Sequence, residues 1–187
     1  MGYSTDFVGR IEISPALTDE HKEFIDSFGA TRRMKRNPDL AEKLPDEIRE
    51  NAKLPIGEEG ANFVGGKGFA GQDGDDSIVE YNTPPKGQPS LWCQWVSNED
   101  GDAIIWDGGE KFYYYVEWMQ YIIEHYLHPW GYTLNGEIEW CGEDYDDRGM
   151  IVVDDNDVYS LRLGKRLKHL IELLKLCFST IRVMKIV

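Results

Sequence analysis

Residues 57–90 are crowded with Gly, Asp and Pro and carry no sustained apolar alternation, so they read as long loops. A loop region of that length inside a folded domain is unusual and often functional. It parts the patterned sequence into two stretches, and a single core has to join elements before it to elements after it. With 187 residues, 41% of them hydrophobic, the chain can bury such a core without staples. An aromatic content of 12% argues against disorder throughout.

Before the loops, residues 3–13 alternate as a strand, with Phe7, Gly9, Ile11 and Ile13 on one side. Thr18 then caps a short helix with Asp19 and Glu20 in its first turn, an apolar stripe of Phe24, Ile25 and Phe28, and Gly29 as its stop. Two shorter helices are expected at 40–44 and 46–52, the second with Pro45 at its start. After the loops, 91–96 and 103–106 read as paired strands joined by a turn at 98–102. Trp92 and Trp95 then point to opposite faces, one to the core and the other able to stack on a ligand. Residues 110–127 have the spacing of a long helix, which Pro129 ends. A meander follows: a strand at 132–141 interrupted at Asn135-Gly136, and strands at 150–153 and 158–161 joined by Asp154-Asp155-Asn156-Asp157. The order predicts an α+β fold, an antiparallel sheet with one long and one or two short helices packed on it, plus a basic C-terminal helix. Residues 1–160 form one domain and 161–187 a basic amphipathic extension, with Leu163, Leu167, Leu170, Ile171 and Leu174 as its apolar face.

Charge divides the chain in the same place. Seven Lys/Arg against one Glu make 161–187 +6; the whole chain is −14, so 1–160 carries −20. Such a body repels nucleic-acid phosphates, and direct DNA or RNA binding is not expected of it. The charge keeps the protein soluble and also suits docking on a basic protein or imitation of DNA. The tail's composition fits three targets: its own body, a partner, or an anionic membrane. Cys93, Cys141 and Cys177 are odd in number and form no CxxC pair, which points away from a disulfide framework and toward a reducing, cytoplasmic setting. The first residues have neither a basic start nor an apolar run, so no signal peptide is expected, and no apolar stretch is long enough for a transmembrane helix.

Three clusters could carry function. Arg32, Arg33, Lys35 and Arg36 form a basic island able to grip a phosphate or nucleotide, or else to pair with surrounding acids. Tyr114, Trp118, Tyr121 and His125 form a second stripe on the long helix: an interaction surface if uncovered, core if residues 31–62 lie over it. Glu143, Asp144, Asp146 and Asp147 crowd a turn between strands and could hold a divalent cation, Ca²⁺ or Mg²⁺, although Arg148 stands where a ligand is wanted. Otherwise they are a solvated Asp-rich turn, and no cofactor is expected. Gly-x-Ser-x-Gly, a Walker loop and His-Glu-x-x-His are all absent, and the four histidines do not cluster in sequence.

The segments 1–7 (MGYSTDF), 31–36 (TRRMKR), 91–96 (LWCQWV), 106–112 (WDGGEKF) and 134–137 (LNGE), with Gly142-Glu143-Asp144 and Asp146-Asp147, occur together. In combination they resemble a group of small uncharacterised proteins found in bacteria and their phages or prophages. The resemblance covers about residues 1–160, and the tail departs from it. It implies no catalytic role, but the genetic setting favours a protein that engages and blocks a host machine. The expected function is therefore a non-enzymatic acidic binding protein. The alternative is a small enzyme or ligand-binding domain for a phosphorylated or nucleotide-like molecule, sited at the basic island with a metal at the acidic turn.

Overall fold

A computed structural model describes residues 2–66, 68, 74–144 and 146–162. It shows an α+β fold built on a six-stranded sheet in which every neighbouring pair is antiparallel. The elements are β1 (Thr5–Ser14), α1 (Asp19–Ala30), β2 (Lys35–Arg36), α2 (Pro38–Ala41), α3 (Glu47–Asn51), β3 (Ile78–Glu80), β4 (Trp95–Ser97), β5 (Ala103–Trp106), α4 (Tyr115–Ile122), β6 (Thr133–Gly142), β7 (Arg148–Asp154) and β8 (Asp157–Arg162). The sheet order is β4-β5-β1-β6-β7-β8, and β2 and β3 pair separately. The first strand of the chain thus lies in the middle, and the long loop region is spanned by the pairings of β1 with β5 and β6. None of the described helices is long and apolar enough to cross a membrane.

Alternation in β1 points Phe7, Ile11 and Ile13 at the core, where they join Leu134, Ile138 and Trp140 of β6 and Ile151 and Val153 of β7. The helices cover this face: Phe24, Ile25 and Phe28 of α1 and Trp118, Met119 and Ile122 of α4 belong to the same cluster. Much of the contact is aromatic. Phe7 packs edge-on against Trp95, Trp106, Phe112 and Tyr115 with ring centroids between 4.9 and 5.7 Å. Each such buried ring contributes about 1.5–3 kcal/mol of transfer free energy.

Several boundaries differ from the sequence reading. Thr18 does cap α1, its hydroxyl accepting the His21 N–H. The helix nevertheless runs past Gly29, which is buried where α1 touches β4: a Cβ there would lie 2.9 Å from Val96 Cγ1. Gly29 serves close approach rather than termination. The helix expected at 110–127 starts at Tyr115, after Lys111 and Tyr114 have taken left-handed backbone, and its last turn, Ile123–Leu127, widens to a π-helix. Of 91–96, only Trp95 and Val96 join the ladder; Leu91 instead accepts the Arg33 N–H and Gln94 the Asp107 N–H. Trp95 is core, while Trp92 is partly buried. β6 is uninterrupted at Asn135-Gly136: its register with β1 holds from Thr133 to Gly142. Gly136 is needed because a Cβ would sit 2.7 Å from the Arg10 carbonyl oxygen, and φ there is 148°. The first short helix begins at Pro38, capped by Asn37, rather than at Leu40. The loops of 57–90 include one short strand, β3. Leu161 and Arg162 end β8, and the rest of the basic C-terminal helix expected over 161–187 lies outside the described residues.

Candidate binding surface

The basic island follows α1, where the chain enters the loops, and each of its cations is engaged by the chain itself. Arg33 is fully buried with its guanidinium 4.1 Å over the Phe28 ring, and it donates to the carbonyls of Ala61 (2.7 Å) and Phe63 (3.0 Å) and to Gln88 Oε1 (3.2 Å). Arg36, also buried, lies over Phe63 and donates to Asp75 (2.7 Å) and Ser77 Oγ (2.6 Å). Burial alone would raise the Asp75 carboxyl, but bonds from Ser77 and Arg36 outweigh it and hold the group below its ordinary pKa. Arg32 lies over Tyr81 and bonds the Tyr81 carbonyl and Asn82. Lys35 meets Glu59 at 2.5 Å, which raises the lysine pKa and lowers that of the glutamate. The four cations thus point into separate acceptor sets instead of converging on one anion.

The second stripe of α4 is divided. Trp118 and Tyr121 are buried under α1 and the 88–90 loop, with Trp118 Nε1 donating to Ser90 Oγ and Gln88 Nε2 to the Tyr121 hydroxyl. His125 stacks on Tyr121 from outside at 4.0 Å, and Tyr114, 58% exposed, stands apart at the helix start. The cover comes from residues 88–90 and α1 as much as from 31–62.

The acidic turn ties down the start of the chain. Glu143 accepts the Ser4 N–H, and Asp147 accepts the Tyr3 hydroxyl, a bond that raises the phenol's pKa. Asp144 and Asp146 face solvent. Among the described residues, no three His, Cys, Asp or Glu side chains are grouped to hold a metal ion. Basic island and acidic turn have different neighbours: the loops in one case, the N-terminal segment in the other.

A groove of about 270 Å³ lies where α4 and its π-turn meet the β7–β8 hairpin, lined by Gln120, Glu124, Asn156, Asp157, Val158 and Tyr159. Gln120 and Glu124 share a helical face by their four-residue spacing. Opposite them, Asp155 and Asn156 both take positive φ in a two-residue turn between β7 and β8. The Asn156 side chain fixes the turn: its Oδ1 accepts the Leu134 N–H at 2.7 Å, and its Nδ2 donates to the Tyr132 carbonyl and lies 2.9 Å from His128 Nδ1. The hairpin is thereby pinned to the start of β6 and to the end of the π-turn. Two carboxylates and two amides around a small cavity suit a cation that can donate several hydrogen bonds. Sequence reading missed this site. Asn156-Asp157 was legible as a turn, but nothing in the sequence places Gln120 and Glu124 beside it.

The two described cysteines differ in setting. Cys93 is wholly buried, and burial pushes its thiol up to about 12. Cys141 is partly buried, with Arg148 Nη2 at 3.9 Å. No protein-family model matches the chain, and neither the curated proteins nor the solved structures contain a match to it.

Proposed function

We propose that this chain is a non-enzymatic acidic binding protein that engages a basic or nucleic-acid-binding protein. One observation carries the reading: the body's clustered cations are turned inward to hold its own loops, while the groove presents Glu124 and Asp157. A body of −20 attracts a basic partner over long range, and the groove accepts one of its Lys or Arg side chains. At about 270 Å³ it falls below the roughly 300–1,000 Å³ of ordinary small-molecule pockets, which favours a side chain over a cofactor. The resemblance to bacterial and phage or prophage proteins supplies the setting, a host machine that the protein engages and blocks. The odd cysteine count fits a cytoplasmic location.

The test is an affinity pull-down of the tagged full chain from host lysate, with and without nuclease and over a range of salt. The expected result is a stoichiometric, nuclease-resistant, basic protein lost as salt rises. Recovery of nucleic acid alone, or of nothing above background in uninfected and phage-infected cells, overturns the proposal.

A further inference from the structure

One face of the sheet is covered by α1 and α4; the other has no helix of the described chain on it, and it is uneven. Register places Val8, Glu139, Met150 and Leu161 in one row across β1, β6, β7 and β8, and Arg10, Glu137, Val152 and Tyr159 in the next. Where β7 and β8 meet, these rows form an apolar block of Met150, Val152, Tyr159 and Leu161. Glu137 and Glu139 border it on β6. Met150 is only 2% exposed yet stands outside the core cluster, whereas Val8, in the same row, is 75% exposed. A buried methionine on the helix-free face marks that end as covered, not solvated.

The chain itself supplies a matching segment. Residues 163–187 follow directly from Arg162, at the end of the edge strand that forms one border of the block. Their sequence repeats apolar residues at helical spacing, Leu163, Leu167, Leu170, Ile171 and Leu174, with Lys165, Arg166 and Lys168 between them and Lys175 directly after. We propose that residues 163–187 dock on the helix-free face of the sheet, their apolar stripe on Met150, Val152, Tyr159 and Leu161 and their cations toward Glu137 and Glu139. Apolar stripe meets apolar block, basic flank meets acidic border, and a direct tether gives the segment a high effective concentration at this face. Docking there also leaves the groove beside α4 to a partner.

Limited trypsin digestion of the full chain, read by mass spectrometry at Lys165, Arg166, Lys168 and Lys175, tests this. The wild type is compared with Glu137→Lys/Glu139→Lys and with Leu167→Asp/Leu170→Asp. The second pair alters only the segment, and circular dichroism verifies that the body stays folded in both. The expected result is cleavage about tenfold faster in either double variant, and faster in the wild type as salt rises. Equal cleavage in all three chains overturns the proposal. So does protection of the wild type that appears only on adding anionic vesicles or a basic partner, because the segment's seat is then elsewhere.

Discussion

The loops that follow α1 and the β6–β8 side of the sheet use charge in opposite ways. Among the loops, backbone carbonyls are buried without a ladder to satisfy them, and side chains must do so. A guanidinium, with five donors in a fixed fork, suits this task, and Arg33, Arg36 and Arg49 are all buried there. Arg49 meets Asp46 at 2.6 Å and donates to the Leu54 carbonyl, while Asp46 also accepts the Val64 N–H. On the β6–β8 side the ladders satisfy the backbone, so charged side chains are left at the surface. In an acidic protein, a cluster of cations therefore marks where irregular chain is buried, and it need not mark where an anion binds.

Loss of Arg33 should be the largest effect. Arg33→Met keeps the volume but strands the Phe63 carbonyl and Gln88 Oε1 and removes the cation from Phe28, at a cost of about 3–5 kcal/mol. Urea melts read this directly. An unchanged midpoint would mean that the loops do not depend on the arginine, and the contrast between the two regions would fail. Asp46→Ala comes next, at about 2–3 kcal/mol, because the buried Arg49 Nε–H and the Val64 N–H both lose their acceptor.

Acid should loosen the same region first. Glu59 and Asp75 are held below the ordinary carboxylate pKa, so each contributes stability above that value and loses it as pH falls through the folded-state pKa. Asp46 behaves oppositely: burial raises its pKa despite Arg49, so its contribution is greatest in acid and declines as pH rises through the interval between unfolded and folded values. Between about pH 5 and 3 the first two should dominate at β2–β3, where Arg36 and Lys35 hold them. Amide protection factors, referred to the intrinsic exchange rate at each pH, should fall over that range in Lys35, Arg36 and Ile78–Glu80, and Glu59→Gln with Asp75→Asn should flatten the response.

Elements with local signals were legible in the sequence. Thr18 with Asp19 and Glu20 gave the start of α1, alternation gave β1, and the polar turn Asp154-Asp155-Asn156-Asp157 between two apolar runs gave the last hairpin. What failed depended on distant neighbours. The Gly29 and Gly136 signals look like a stop and a break, but these glycines answer to Val96 and Arg10, far away in sequence. Tyr114, though on the helical spacing, lies outside α4 because its own left-handed backbone delays the helix. The arginines show charge but not burial, which is decided by carbonyls contributed from residues 61–63 and by Gln88. The groove was illegible for the same reason, since its two walls are more than thirty residues apart in sequence.

The smallest effect on stability should come from the groove, and it sharpens the contrast most. Glu124 and Asp157 are exposed and belong to elements whose backbone bonds are complete without them. Glu124→Gln with Asp157→Asn should therefore shift the unfolding free energy by no more than about 0.5 kcal/mol. Association with a basic partner should nevertheless slow and lose part of its salt dependence, because two carboxylates that steer and receive the cation are gone. Stopped-flow or surface-based kinetics at two salt concentrations separate these outcomes. Were the double variant to lose several kcal/mol, the groove acids would be structural like the arginines, and the distinction between inward cations and outward acids would disappear.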